Sequence, residues 1–180
     1  MAQTSLVCAM LLCAPLASRS QVAKPDPCPP VRDIHKFVQA WNDAVLGPGN
    51  RSHTCSLRMM TADARITGVI LNKDGTSTRT VESPEEFVGW YQKHPDQTFW
   101  ERTLHSSVEV YDNVARVTRT YEVRASASAP VQSTGIEDFQ LIWTGTAGGH
   151  GEWKVFSLLW QDASPGHPLP GRYRPSTKHP

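Results

Sequence analysis

The chain has 180 residues, 39% of them hydrophobic, which suits one domain with a substantial core and is too short for two large ones. Eighteen Lys and Arg stand against seventeen Asp and Glu, a formal charge of +1. That balance argues against the strongly basic surface of a nucleic-acid or anionic-membrane binder.

In chain order, the uncharged apolar run SLVCAMLLCAPLA followed by small residues predicts a signal peptide over residues 1–20, cut after Ser20, although MAQT carries no Lys or Arg. The run is too short for a membrane span. Cleavage removes one charge, Arg19, and leaves seventeen of each sign. It also removes Cys8 and Cys13. Cys28 and Cys55 then flank the first predicted helix, and in a secreted or periplasmic protein such a pair is expected to form one disulfide, worth about 3 kcal/mol in the chain-entropy model. A reactive thiol is the weaker alternative, since nothing nearby would activate it. Asn50-Arg51-Ser52 is a glycosylation sequon that matters only in a eukaryotic secretory route.

Residues 21–30 form an extended lead-in. Val31, Ile34, Val38, Trp41 and Val45 then recur at helical spacing after Pro29-Pro30 and before Gly47, predicting an amphipathic helix of about four turns. CSLRMM predicts a short second helix, ARITGVIL a strand, and Asn72-Lys73-Asp74-Gly75 a turn into the strand TSTRTV. Ser83-Pro84-Glu85-Glu86 carries an N-cap serine, a first-turn proline and a glutamate at the third position, ahead of Phe87, Trp90, Tyr91 and His94 on one face of a third helix. From Thr98 the pattern is strand: FWERTLHSSVEVY, VARVTRTYEVRA, IEDFQLIWT and EWKVFSLLW, predicted as one antiparallel meander. The last strand is apolar in both phases, Trp153, Val155 and Leu159 alternating with Phe156, Leu158 and Trp160, which predicts a central or doubly covered strand. Residues 163–180, rich in proline, are expected to be extended or disordered.

Asp112-Asn113 is a two-residue hairpin corner, and it sets a register. Counting outward, Val110 faces Ala115, Val108 faces Val117, Ser106 faces Arg119 and Leu104 faces Tyr121 on one side. Glu109 faces Arg116 and Glu101 faces Arg124 on the other, charged side. Arg119 and Arg102 are therefore expected to point inward.

This order of elements, with MTADARITG entering the first strand, VEVYDNVARVTRTYEV as hairpin and FQLIWT with EWKVFSLLWQ as closing strands, resembles the nuclear transport factor 2-like superfamily. That superfamily also contains the ketosteroid isomerases and SnoaL-like cyclases, and the wording is closest to an uncharacterised subgroup. The resemblance covers residues 31–162 and implies an α+β fold, a curved antiparallel sheet forming a cone packed by three N-terminal helices. It does not carry isomerase chemistry over. Where the isomerases resemble DDAxVEDPxG this chain has TADARITGVI, so their general base falls on Gly68. Their helical tyrosine falls near Ala40 or Trp41, and their further acid on Asp138 or Phe139 according to a one-residue slip.

The expected pocket is an apolar cup lined by Trp41, Trp100, Trp143 and Tyr121, with Arg119, Arg102 and Ser106 as its polar groups and Phe37, Trp90 and Tyr91 towards its lid. A buried guanidinium demands a partner. Glu137, on one face with Phe139, Leu141 and Trp143, is one candidate; a ligand carboxylate or enolate held by Arg119, Ser106 and Tyr121 is another; escape to the cone's mouth is a third. The seven histidines show no HxH or HExxH spacing, and no metal or cofactor is expected. The first functional reading is an exported binding protein for a small apolar molecule, acids included. The second is an isomerase-, cyclase- or dehydratase-like enzyme using Tyr121, Asp138 and Arg102. The third is a homodimeric module using the outer sheet face.

Overall fold

The computed structural model describes residues 28–48, 53–72, 74–145, 150–164 and 166–174. The apolar run of residues 1–20 and the Asn50 sequon lie outside them. Six long strands form one open, curved sheet: β2 (Met60–Leu71), β3 (Ser77–Glu82), β4 (Thr98–Tyr111), β5 (Val114–Arg124), β6 (Val131–Trp143) and β7 (Trp153–Asp162). A two-residue β1 (Gly47–Pro48) adds to the β4 edge, giving the order β1-β4-β5-β6-β7-β2-β3. The meander β4 to β7 is antiparallel as expected. The sheet as a whole is mixed, because β2 runs parallel to β7.

The helices α1 (Phe37–Val45), α2 (Thr54–Arg58) and α3 (Pro84–Gln92) complete the α+β cone expected from the sequence. A 3-10 turn at Ile34–Lys36 precedes α1, with the Asp33 carboxylate accepting from the His35 amide at 3.0 Å. The helix then buries Phe37, Trp41, Ala44 and Val45 against the sheet. At α3 the capping box forms as predicted: Ser83 Oγ accepts from the Glu86 amide at 3.2 Å, and Glu86 Oε2 accepts from the Ser83 amide at 2.8 Å. The core centres on Phe37, Trp41 and Phe139, the two helix rings meeting Phe139 edge-on at 5.1 and 4.9 Å. Cys28 and Cys55 are bonded, tying the lead-in to α2.

Two β-bulges decide which side chains reach that core. Near the corner the β4–β5 register is the one counted from Asp112-Asn113, down to Ser106 opposite Arg119 and His105 opposite Thr120. Leu104 is then an extra residue, so Thr103 rather than Leu104 meets Tyr121, and Trp100 rather than Glu101 meets Arg124. One added residue reverses every face beyond it. Phe156 is the extra residue in β7, where Ser157 pairs with Gln140 but Val155 with Leu141. Trp153 and Val155 before it, and Leu158 after it, are all buried. The strand is apolar in both phases because each half uses a different phase, and it also lies between β6 and β2.

Over its described residues the proline-rich segment lies back against the sheet. Ala163 N donates to Thr134 O at 2.7 Å, and a 3-10 turn at Gly171–Tyr173 places Tyr173 O 2.6 Å from Thr120 Oγ1. Thr120 points outward on β5 yet is fully buried under this strap.

Candidate functional site

Alternation along β5 sends Ala115, Val117, Arg119 and Tyr121 to the concave face, all buried. Directly across β6 from Arg119 stands Glu137, and the Leu104 bulge turns Glu101 and Thr103 of β4 inward as well. Asn42 arrives from α1. The guanidinium uses all of them: Nε donates to Glu137 and Nη2 to Glu101, both very short contacts, while Nη1 donates to Asn42 Oδ1 at 2.6 Å and to Thr103 Oγ1 at 3.2 Å. Thr103 Oγ1 in turn donates to Asn42 Oδ1 at 3.0 Å. The carbon of the guanidinium stands 5.7 Å from the Tyr121 ring centroid and 5.8 Å from that of Phe139. The charge of a fully buried Arg119 is thus met by internal carboxylates, the first of the candidate partners.

Towards the open end of the same face, Tyr121 donates its phenol to Asp162 Oδ1 at 2.6 Å. The phenol end of its ring lies close against Gly135, where a Cβ would stand 2.5 Å from Cζ. Tyr91 of α3 leans over this region against Phe99, with ring centroids 4.7 Å apart. Burial raises the pKa of both phenols, and for each the carboxylates of Glu137, Glu101 and Asp162 add to the shift. Burial likewise raises Glu137 to about 7; Arg119 works against that rise and Glu101 adds to it. For Arg119, burial opposes the charge, but Glu137 and Glu101 outweigh it and make the guanidinium more basic than usual. Glu101 and Glu137 share one cation and Asp162 adds a third carboxylate beside the Tyr121 phenol, so the region is acidic.

His53, which no sequence motif marks, completes the cluster from the start of α2. Its backbone is left-handed (φ 61°), its ring stacks on Tyr91 at 3.7 Å, and Nδ1 lies 3.3 Å from Ser56 Oγ. Burial lowers its pKa to about 3, with Arg119 adding to the effect, so the imidazole is neutral.

The sequence-predicted pocket residues do not all converge. Arg119 and Tyr121 are on the inner face, and Trp41 is fully buried core. Arg102 is on the outer face, its side chain 62% exposed and paired with Glu122 at 2.9 Å, because the Leu104 bulge reverses its phase. Trp100 turns outward for the same reason. Ser106 is opposite Arg119 but exposed and outside its set of partners. Trp143 packs edge-on against Trp153, ring centroids 5.6 Å apart, at the opposite end of the sheet from Asp162. Glu101, expected on the charged side, is the residue the bulge delivers inward. Of the lid residues, Phe37 is core and Trp90 is exposed beside His94.

The isomerase positions are equally plain. Gly68 lies under the Trp160 indole, where a Cβ would stand 2.5 Å from Cζ2, so no side chain can replace it without moving that ring. Asp138 faces outward and accepts from two guanidinium nitrogens of Arg116, Nε at 3.0 and 3.1 Å and Nη2 at 2.5 Å, while Phe139 takes the inner position. An acid–base set of Tyr121, Asp138 and Arg102 therefore does not assemble.

No family model matches the chain. No curated protein matches it. Solved structures do: an NTF2-like protein of unknown function from Shewanella baltica, 14% identical over 72% of this chain and 87% of that one, with a TM-score of 0.45; a candidate ketosteroid isomerase from Parabacteroides distasonis, 14% identical over 74% and 91%, TM-score 0.49; and the yeast UBP3-associated protein BRE5, 8% identical over 72% and 93%, TM-score 0.51. Likeness at these identities speaks to fold alone.

Proposed function

We propose that the chain, whose α+β sheet-and-helix order resembles that of NTF2-like proteins, binds a small, largely apolar molecule at the open end of the concave face. One observation carries the choice of ligand. The donors of Arg119 are taken up by Glu101, Glu137, Asn42 and Thr103, while Asp162 and the phenols of Tyr91 and Tyr121 face an excess of carboxylate. Such a site repels a ligand acid and favours a hydrogen-bond donor or a protonated amine, with aromatic walls suited to either. The anionic ligand considered from sequence is thereby replaced. Export belongs to the same reading: the bonded Cys28–Cys55 pair suits an oxidising compartment, and no described helix is long and apolar enough to cross a membrane.

Thermal-shift measurements with 2-phenylethylamine and 3-phenylpropionate at equal concentration test the ligand class. The amine is expected to raise the unfolding midpoint, the acid to leave it unchanged, and Asp162→Asn to abolish the amine's effect. Equal or greater stabilisation by the acid would refute the proposal.

A second reading is favoured by a different observation. At the hairpin tip Val110, Tyr111, Val114 and Phe156 are 48%, 82%, 50% and 44% exposed and line a cavity of about 540 Å³ rimmed by Glu109 and Arg116. Contiguous apolar exposure of this kind marks an interaction surface. A rim bearing one charge of each sign can pair with itself about a two-fold axis. Homodimerisation is thus proposed through the tip, since the strap covers Thr120 farther along the outer face. Light scattering is expected to give a dimer that Tyr111→Lys converts to monomer. A wild-type monomer at high micromolar concentration would end this reading.

A further inference from the structure

The strap does not close on the part of the sheet it crosses. It is fixed by the Ala163 N to Thr134 O hydrogen bond, by paired backbone bonds between Ser164 and His167 (3.2 and 2.9 Å), and by Arg174 Nε donating to Leu169 O at 2.9 Å. Between these anchors a cavity of about 460 Å³ remains. Its floor is Val69, Ile136 and Leu159 from three neighbouring strands, and its roof is Pro168, Leu169 and Pro170. Leu159 stays 47% exposed beneath that roof. An apolar gap left open between apolar walls forgoes contacts that collapse would gain. Two prolines with fixed φ in the roof explain why the strap spans the gap instead of sinking into it.

We propose that this slot is a second ligand site, for a neutral apolar molecule bearing one hydrogen-bond donor. The volume lies within the range of small-molecule sites and the walls are apolar. The charged groups set the rest of the chemistry. Asp138 and Asp162 both border the slot; the charge of Asp138 is balanced by Arg116 on the neighbouring strand, and the carboxylate of Asp162 is taken by the Tyr121 phenol on the concave side. The Asp138 carboxylate can accept another hydrogen bond, yet the ion pair as a whole calls for no charge on the ligand. This distinguishes the slot from the acidic concave face on the other side of the sheet; Asp162 borders both, but the inference does not rest on the function proposed there.

The probe is N-phenyl-1-naphthylamine, a neutral apolar dye with a single N–H. Titrated into the full chain, it is expected to show saturable fluorescence enhancement. A lysine in either wall, Leu159→Lys on the floor or Leu169→Lys in the roof, is expected to weaken binding at least tenfold. Val114→Lys at the hairpin tip, away from the slot, is expected to leave it unchanged. The two wall variants alter opposite sides of the slot, and circular dichroism checks that each is folded. Absence of saturable binding to the full chain, or normal binding by both wall variants, would overturn the assignment.

Discussion

Arg119→Met is expected to destabilise the domain by about 4 kcal/mol, the range found when one partner of a buried ion pair is removed. For a chain of this size that lowers the unfolding midpoint by roughly 10 °C. The loss does not come from packing, since methionine fills much of the space of the arginine stem beside Tyr121 and Phe139. It comes from leaving Glu101 and Glu137, whose side chains are only 15% and 9% exposed, without their cation. Asn42 Oδ1 and Thr103 Oγ1 lose a donor in the same step. The companion variant separates the two causes. Combining Arg119→Met with Glu101→Gln and Glu137→Gln removes all three charges, and replacing a whole buried charge set is often nearly neutral. The triple variant is therefore expected to recover most of the loss in urea unfolding. If Arg119→Met alone falls within 1 kcal/mol of the parent chain, water reaches the guanidinium and the buried network is refuted.

The same network shows what could be read beforehand. The Asp112-Asn113 corner fixes register by local geometry, so Arg119 and Glu137 could be placed inside from alternation alone. Glu101 could not. The TLH stretch around the bulge carries no glycine or other mark of an extra residue, and two charge pairings competed for the far end of the hairpin. Glu101 with Arg124 suits an unbroken ladder; Arg102 with Glu122 suits a ladder with one residue looped out, and that second pairing is the one formed. Complementary charges displaced by one register step were the only available signal. In β7 the signal was stronger, since an apolar pattern in both phases is what a strand that switches phase midway must show. Asn42, Asp162 and His53 join the cluster through docking of α1, the end of β7 and the start of α2, and such contacts leave no trace in local spacing. The strap leaves no such trace for a related reason. Proline-rich composition reports that a segment cannot form helix or ladder, not whether it finds a surface to lie on.

Two buried groups of opposite habit should make the pH dependence of stability separable. His53 has its pKa lowered from 6.5 to about 3 by burial, so its contribution is complete above pH 6.5 and is lost as pH falls below it. Glu137 has its pKa raised from 4.5 to about 7, again by burial, so its contribution is complete below pH 4.5 and is lost as pH rises towards 7. Between pH 4.5 and 6.5 both slopes are present, each up to about 1.4 kcal/mol per pH unit, and they oppose one another. The pair therefore contributes little net slope in the parent chain. Single replacements remove one side of the balance. His53→Asn suits the left-handed backbone, which asparagine tolerates. On going from pH 6.5 to 4.5 its stability relative to the parent is expected to rise by about 2 kcal/mol. Glu137→Gln is expected to fall by a similar amount, about 2 kcal/mol, over the same interval. Comparing each variant with the parent at every pH removes the slope common to the exposed carboxylates, and urea midpoints at pH 4.5, 5.5 and 6.5 are sufficient. The double variant should follow the parent's pH profile, because it lacks both groups. If the two single variants instead drift in the same direction, the proton taken up on acidification does not go to Glu137 or spare His53, and the electrostatics assigned to the concave face are wrong.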